Sequence, residues 1–73
     1  MRSLSKAEPG SSYEIKWMLG PEEYADDFKK LDRIGFRPGR NIYLIQTCLG
    51  NVLVNLGGRR FMLGEEAASY IKV

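Results

Sequence analysis

Histidine is absent from this 73-residue chain, and Cys48 is its only cysteine. Without histidine the chain lacks the commonest general base near neutral pH, and no residue of that kind is present to activate Cys48 as a nucleophile. One thiolate without imidazole is also a poor ligand set for a protein-held Zn²⁺ or Fe²⁺ ion. The sequence therefore predicts neither an enzyme nor a metal site. Cys48 is interpreted as a small core or half-exposed residue at a strand end.

Long apolar runs, cysteine pairs and an excess of one charge are missing as well. No window approaches the roughly 20 apolar residues that a membrane helix needs, so the chain is not expected to span a membrane. A secreted domain of this size usually carries several disulfides, so a single cysteine favours the reducing cytoplasm. Eleven basic and nine acidic residues give a net charge of +2, which does not by itself indicate nucleic-acid binding.

The composition that remains is typical of a folded protein, with 44% hydrophobic and 27% charged residues. A chain this short buries only about 60% of the surface that its unfolded form exposes, so it forms one domain with a small core. We expect residues 1–73 to be that single domain, beginning with a short lead-in that ends at the turn signal Pro9–Gly10.

The segment PEEYADDFKKLDRIG has three features of a helix. Pro21 suits the first helical position, where its missing N–H costs nothing. Acidic residues fill the first half and basic residues the second, which matches the helix dipole. Tyr24, Phe28 and Leu31 recur at helical spacing and form one apolar stripe. Gly35 then stands where a left-handed C-terminal cap is needed, so the helix is predicted to end there.

Five other segments have the composition of short strands. The first covers residues 12–18, and the others are RNIYLIQTCL, VLVNL, RRFML and YIKV, with one helical turn, EEAAS, before the last. Gly50–Asn51 and Gly57–Gly58 suit tight hairpin loops, while Pro38–Gly39 suits a turn that starts the second strand. The predicted structural turn residues are Gly35, Pro38, Gly39, Gly50, Gly57 and Gly58.

These elements predict a mainly β fold. We expect a small five-stranded SH3-like barrel with one α-helix between the first two strands and a short helical turn before the last strand. A meander of short strands favours such a barrel because closure removes edges that would otherwise be open to aggregation.

Four arginines are candidate binding residues, because they flank two predicted turns: Arg37, Arg40, Arg59 and Arg60. In a compact fold the two turns would lie near each other and form a basic patch. With Tyr43 and Phe61 nearby in sequence, a nucleic-acid-binding barrel is an alternative, because bases stack on aromatic rings beside cationic grooves. The aromatic signatures of cold-shock and RRM domains are absent, however, so no nucleic acid is expected.

The segment KWML contains the only tryptophan. Strand alternation does not allow Trp17, Met18 and Leu19 all to face the core, so at least one of them faces solvent. Trp17 and Met18 are therefore candidate apolar anchors for a protein partner, where tryptophan is enriched. The simpler interpretation is a local extension of the core.

The acidic start of the helix contains four carboxylates. Hard cations such as Ca²⁺ and Mg²⁺ prefer oxygen ligands of this kind. A solvated helix start matched to the helix dipole explains them fully. No cofactor is predicted, and a metal-responsive barrel with weak, transient divalent metal binding remains a minor alternative.

Three stretches together resemble the FeoA family: LSKAEPGSSYEI, KKLDRIGFRPGRNI and GGRRFMLGEEAASYIKV. The middle stretch is the most specific, since an apolar-striped helix ends in Leu-x-x-Ile-Gly-Phe and is followed by x-Pro-Gly-x-x-Ile. The resemblance covers nearly the whole chain. The helix start is more acidic, and the loop near Gly50 tighter, than is common in the family.

The resemblance implies a small cytoplasmic accessory protein of bacterial ferrous iron uptake, with an SH3-like barrel. Its expected partner is a FeoB-type membrane transporter that carries a GTP-binding domain, and the protein would reach the membrane only through that partner. The resemblance does not decide whether the protein self-associates, and it supplies no set of catalytic residues.

Overall fold

The computed structural model describes residues 2–73. Six strands and two helices are present in this range: β1 (Ser11–Glu14), β2 (Trp17–Met18), α1 (Ala25–Ile34), β3 (Asn41–Cys48), β4 (Asn51–Leu56), β5 (Arg59–Leu63), α2 (Glu65–Ser69) and β6 (Ile71–Lys72). Short 3-10 turns precede β1 at Leu4–Lys6 and α1 at Glu22–Tyr24. The architecture is therefore mainly β with one substantial helix, as predicted.

The strands form two antiparallel sheets rather than one closed barrel. The larger sheet has the order β1-β3-β4-β5, and the smaller pairs β2 with β6. Strands β1 and β5 are both edges, so the predicted closure of the strands into a five-stranded barrel is not observed. Since residues 2–73 contain six strands, α1 lies between the second and third, not between the first two as predicted.

The extra strand arises because the predicted strand over residues 12–18 changes partner halfway. The backbone N–H of Ile15 donates to the carbonyl of Arg40 beside β3, at 2.9 Å, whereas that of Lys16 donates to Lys72 in β6, at 2.7 Å. The chain thus leaves one sheet and enters the other between these two residues. Local composition does not show this break, because it depends on which distant strand is available for pairing.

Both sheets contribute to one small core. Its fully buried large side chains come from the N-terminal turn, from the residue after β1, from the residue after the helix cap and from three strands: Leu4, Ile15, Phe36, Ile42, Leu44, Val52, Val54 and Ile71. In β4, buried and half-buried residues alternate, which is the period expected of a sheet with one face on the core. No buried polar or charged residue is found between positions 2 and 73.

Helix α1 ends at the predicted glycine cap. Gly35 adopts φ +122°, and its N–H and that of Phe36 both donate to the carbonyl of Leu31, at 3.0 and 2.9 Å. Glycine takes this backbone conformation without the steric cost that a side chain would incur. The cap directs Phe36 into the core, where its side chain is fully buried. The following Arg37–Arg40 turn closes with a 3.2 Å backbone hydrogen bond.

The two hairpins differ in how well the sequence predicts them. The β4–β5 hairpin has Gly57–Gly58 as its loop, as predicted, and Leu56 pairs with Arg59. In the β3–β4 hairpin Cys48 pairs with Asn51, so the loop is Leu49–Gly50 and the predicted Gly50–Asn51 loop is wrong by one residue. Leu49 accordingly adopts φ +54°, an unusual conformation for a residue with a branched side chain.

Candidate functional site

The two turns that the predicted arginines flank meet at one end of the larger sheet. The guanidinium of Arg40 extends from the turn after α1 toward the β4–β5 hairpin. Its Nη1 atom lies 3.2 Å from the position that a Cβ atom would take at Gly35, and its Nη2 atom 3.8 Å from the equivalent position at Gly57. Because neither glycine has a side chain, the Arg40 guanidinium can lie close to the backbone of the helix cap at Gly35 and of the hairpin loop at Gly57. We call Arg37, Arg40, Arg59 and Arg60 the arginine corner.

Most of the charge of the arginine corner is not neutralised within the protein. Arg37 is the exception: its Nε lies 3.4 Å from the Asp32 carboxylate, and its Nη2 donates to the Asp32 carbonyl at 2.7 Å. Within residues 2–73 the only other salt bridge joins Lys16 to Glu14. Three exposed guanidinium groups, those of Arg40, Arg59 and Arg60, are therefore available to an acidic partner.

Arg59 and Arg60 point to opposite sides of β5, because successive side chains of a strand alternate. The guanidinium carbon of Arg59 lies 5.5 Å from the centroid of the Phe61 ring, within the range of a cation–π contact. Phe61 packs in turn against the core. Arg60 shares the outer face of the sheet with Tyr43 and Met62, and it pairs with Asn55 across the ladder.

The apolar candidates lie on the smaller sheet. Trp17 is 46% exposed, and Leu19, on the same side of the chain, is 66% exposed. Met18 points the other way and packs against the core. Trp17 and Leu19 therefore form an exposed apolar pair, with Met18 on the buried side of the same segment. The structure thus brings Arg40 to the β4–β5 hairpin and places Trp17 and Met18 on a different sheet.

An aromatic cluster fixes the start of α1 beside this pair. The rings of Tyr24 and Tyr70 meet edge to face with centroids 5.2 Å apart, and Phe28 contacts both. A Cβ atom at Gly20 would lie 2.9 Å from the Phe28 ring, so the chain passes very close to the cluster there. Hydrogen bonding to the Glu66 carboxylate, together with partial desolvation, raises the pKa of Tyr24 to about 12.

Sequence reasoning missed the exposed apolar residues on the outer face of the larger sheet. Met62 is 72% exposed and Leu49, at the hairpin tip, 92% exposed. An outer-face groove of about 300 Å³ lies next to Met62 and is also lined by Gln46, Cys48 and Leu53. The alternation of RRFML, with Phe61 and Leu63 facing inward, was the signal that predicts an outward Met62.

The other residue classes considered from the sequence do not assemble into sites. Cys48 is exposed at the end of β3. Among residues 2–73, no three histidine, cysteine or carboxylate side chains cluster as metal ligands would. No helix in this range has the length and apolar character required to cross a bilayer.

The fold and the surface define the class: a small, mainly β domain whose prominent exposed side chains are arginines and apolar residues. A family model described as the FeoA domain matches residues 2–73, so the chain belongs to the FeoA family, as the sequence motifs predicted. The family consists of non-enzymatic accessory proteins of ferrous iron transport, and this chain is therefore one of them.

Solved structures that are similar to this chain include the following two. One is the crystal structure of an iron uptake regulatory protein (FeoA), with 27% identity and a TM-score of 0.77, over 96% of this chain and 89% of that one. The other is the solution structure of iron(II) transport protein A from Clostridium thermocellum, with 30% identity and a TM-score of 0.76. That match covers 96% of this chain and 43% of the other. No curated protein sequence matches the chain.

Proposed function

We propose that the protein docks on a cytosolic part of a FeoB-type ferrous iron transporter and thereby supports or regulates Fe²⁺ uptake. The observation that carries this proposal is the arginine corner, since Arg40, Arg59 and Arg60 have no acidic partner within residues 2–73. Membership of the FeoA family supports the choice of transporter, because the family belongs to the Feo iron transport system.

The two kinds of exposed residue have different roles in this proposal. Charges at the rim of an interface mainly accelerate encounter and select the partner, and the arginine corner suits that role. Trp17, supported by Met18, supplies the apolar contact that a charged rim cannot provide. Since the two lie on different sheets, a partner that contacts both must extend over more than one face of the domain.

Several further features belong to the same proposal. The chain functions in the cytoplasm as a single domain over residues 1–73 and reaches the membrane only through its partner. Its two sheets form an SH3-like barrel that is open between β1 and β5, with Ile15 at the bend where the chain passes from one sheet to the other. It acts without a resident cofactor.

An amide NMR titration tests the proposal. The ¹⁵N-labelled protein is titrated at physiological salt with the GTP-binding domain of the same organism's FeoB-type transporter, with and without a GTP analogue. We expect shifts clustered at Trp17 and at the arginine corner. Shifts with duplex DNA instead, falling steeply with salt, would favour the nucleic-acid alternative. No shift with any cytosolic part of the transporter would overturn the proposal.

A further inference from the structure

Strand β5 leaves one edge of the larger sheet without a partner. It pairs only with β4, and within residues 2–73 no other strand, turn or cap supplies a backbone hydrogen bond to it. The two-residue Gly57–Gly58 loop makes Leu56 and Arg59 the closing hydrogen-bonded pair. Bonding then alternates along the ladder, so the N–H and C=O groups of Arg60 and Met62 point away from β4, toward the open edge.

The side chains beside these free backbone groups have complementary properties. Arg60 is exposed and unpaired, and Met62 is exposed next to the 300 Å³ groove on the outer face. Arg59, on the inner side of the same strand, adds a second positive charge above Phe61. The edge therefore offers two backbone bonding positions, two positive charges and one apolar surface.

We infer that the β5 edge binds an extended acidic segment of a partner protein by strand addition, with that segment running antiparallel to β5. This inference rests on the proposed function and deepens it, since it names the kind of segment that the arginine corner accepts. Main-chain hydrogen bonds to Arg60 and Met62 hold the added segment on the edge, and the alternating side chains of that segment provide specificity.

The geometry specifies the order of residues in the added segment. An apolar residue opposite Met62 comes first and extends toward the groove, and an acidic residue opposite Arg60 follows two positions later. The next residue lies opposite Arg59 and is acidic as well. A second copy of this chain fits less well, because its own β5 strand, Arg59–Leu63, contains no acidic residue to place opposite Arg60 or Arg59.

Amide hydrogen exchange on the full chain tests the inference. The probe is the capped peptide Thr-Thr-Ile-Val-Asp-Glu-Thr-Thr, with Lys-Lys in place of Asp-Glu as the control peptide. At saturating acidic peptide we expect the Arg60 and Met62 amides to exchange about tenfold more slowly, while the Phe61 amide, already bonded to β4, changes little. No protection at millimolar peptide overturns the inference, and so does protection that grows with protein concentration alone, which would identify a second copy.

Two variants separate strand addition from simple charge attraction. Met62→Pro removes an edge N–H that the β4 ladder does not use, so the sheet tolerates it while strand addition is lost. Arg60→Glu should weaken binding of the acidic peptide by about tenfold and favour binding of the lysine peptide. Lys6→Glu makes the same charge change outside the edge and should have neither effect. If Met62→Pro binds the transporter domain as tightly as the unmodified chain does, strand addition is wrong while the proposed function stands.

Discussion

Phe36 and Phe61 meet edge to face in the core, with ring centroids 5.5 Å apart and ring planes inclined by 77°. This pair connects the cap of α1 to β5, the strand that carries Arg59 and Arg60. This aromatic contact thus helps to hold together the two elements that form the arginine corner. Such contacts contribute about 0.5–1.5 kcal/mol beyond the area they bury.

Replacing Phe36 should therefore destabilise the whole domain. Phe36 is fully buried, so Phe36→Ala should lower the free energy of unfolding by about 3–5 kcal/mol. For a domain of this size that is a large part of the total. Urea denaturation followed by circular dichroism measures the change, with Phe36→Leu as the milder control. An alanine variant as stable as the leucine variant would contradict the central place of this contact.

Leu49 should be replaceable with a gain in stability. It adopts φ +54° and is almost fully exposed, so its side chain contributes little packing to offset the backbone cost. Leu49→Asn creates the Asn-Gly loop that two-residue hairpins prefer, and we expect about 0.5–1 kcal/mol of stabilisation. The urea midpoint should rise with an unchanged slope. A lower midpoint would show that Leu49 makes contacts which offset its conformation.

The contact between Tyr24 and Glu66 should make stability sensitive to alkaline pH. The folded-state pKa of Tyr24 is about 12, above its ordinary value of 10.0, so the folded state favours the protonated hydroxyl. This contribution is fully present below pH 10 and is lost as the pH rises toward 12. NMR of the labelled tyrosine rings measures the pKa directly, and Glu66→Gln should lower it. A Tyr24 pKa unaffected by Glu66→Gln would rule out the carboxylate as the cause.

Trp17 should matter for docking more than for folding. Its side chain is 46% exposed on a two-residue strand, so Trp17→Ala should lower the unfolding free energy by about 1 kcal/mol or less. Docking to the transporter domain should weaken by at least about tenfold, as for a typical aromatic hot spot. Leu49→Ala, at an exposed apolar residue on the other sheet, is the control and should leave docking unchanged. A variant that fails to fold would place Trp17 in the core and reject the anchor role.

Short-range patterns predicted the elements that short-range interactions determine. The end of α1 at Gly35, the Gly57–Gly58 hairpin and the helical turn before β6 follow from caps and turn residues. The break between Ile15 and Lys16 was missed because it depends on pairing with β6, more than fifty residues away along the chain. The Leu49–Gly50 loop was missed because leucine rarely adopts positive φ.

The candidate site was only partly predictable for the same reason. The sequence indicates that Arg40 and Arg59 flank turns, but only the folded backbone shows the Arg40 guanidinium extending along Gly35 toward Gly57. Similarly, the edge of β5 is open because the two sheets do not close into a barrel. The closed barrel predicted from the sequence has no such edge.

The most direct test of the proposed docking is the affinity of the transporter's cytosolic domain for an Arg40→Ala, Arg59→Ala, Arg60→Ala triple variant, compared with the unmodified protein at two salt concentrations. All three side chains are exposed and none forms a salt bridge within residues 2–73, so we expect the variant to fold. We predict binding at least about tenfold weaker, with most of the salt dependence lost. Unchanged affinity and unchanged salt dependence in a folded variant would contradict the role assigned to the arginine corner.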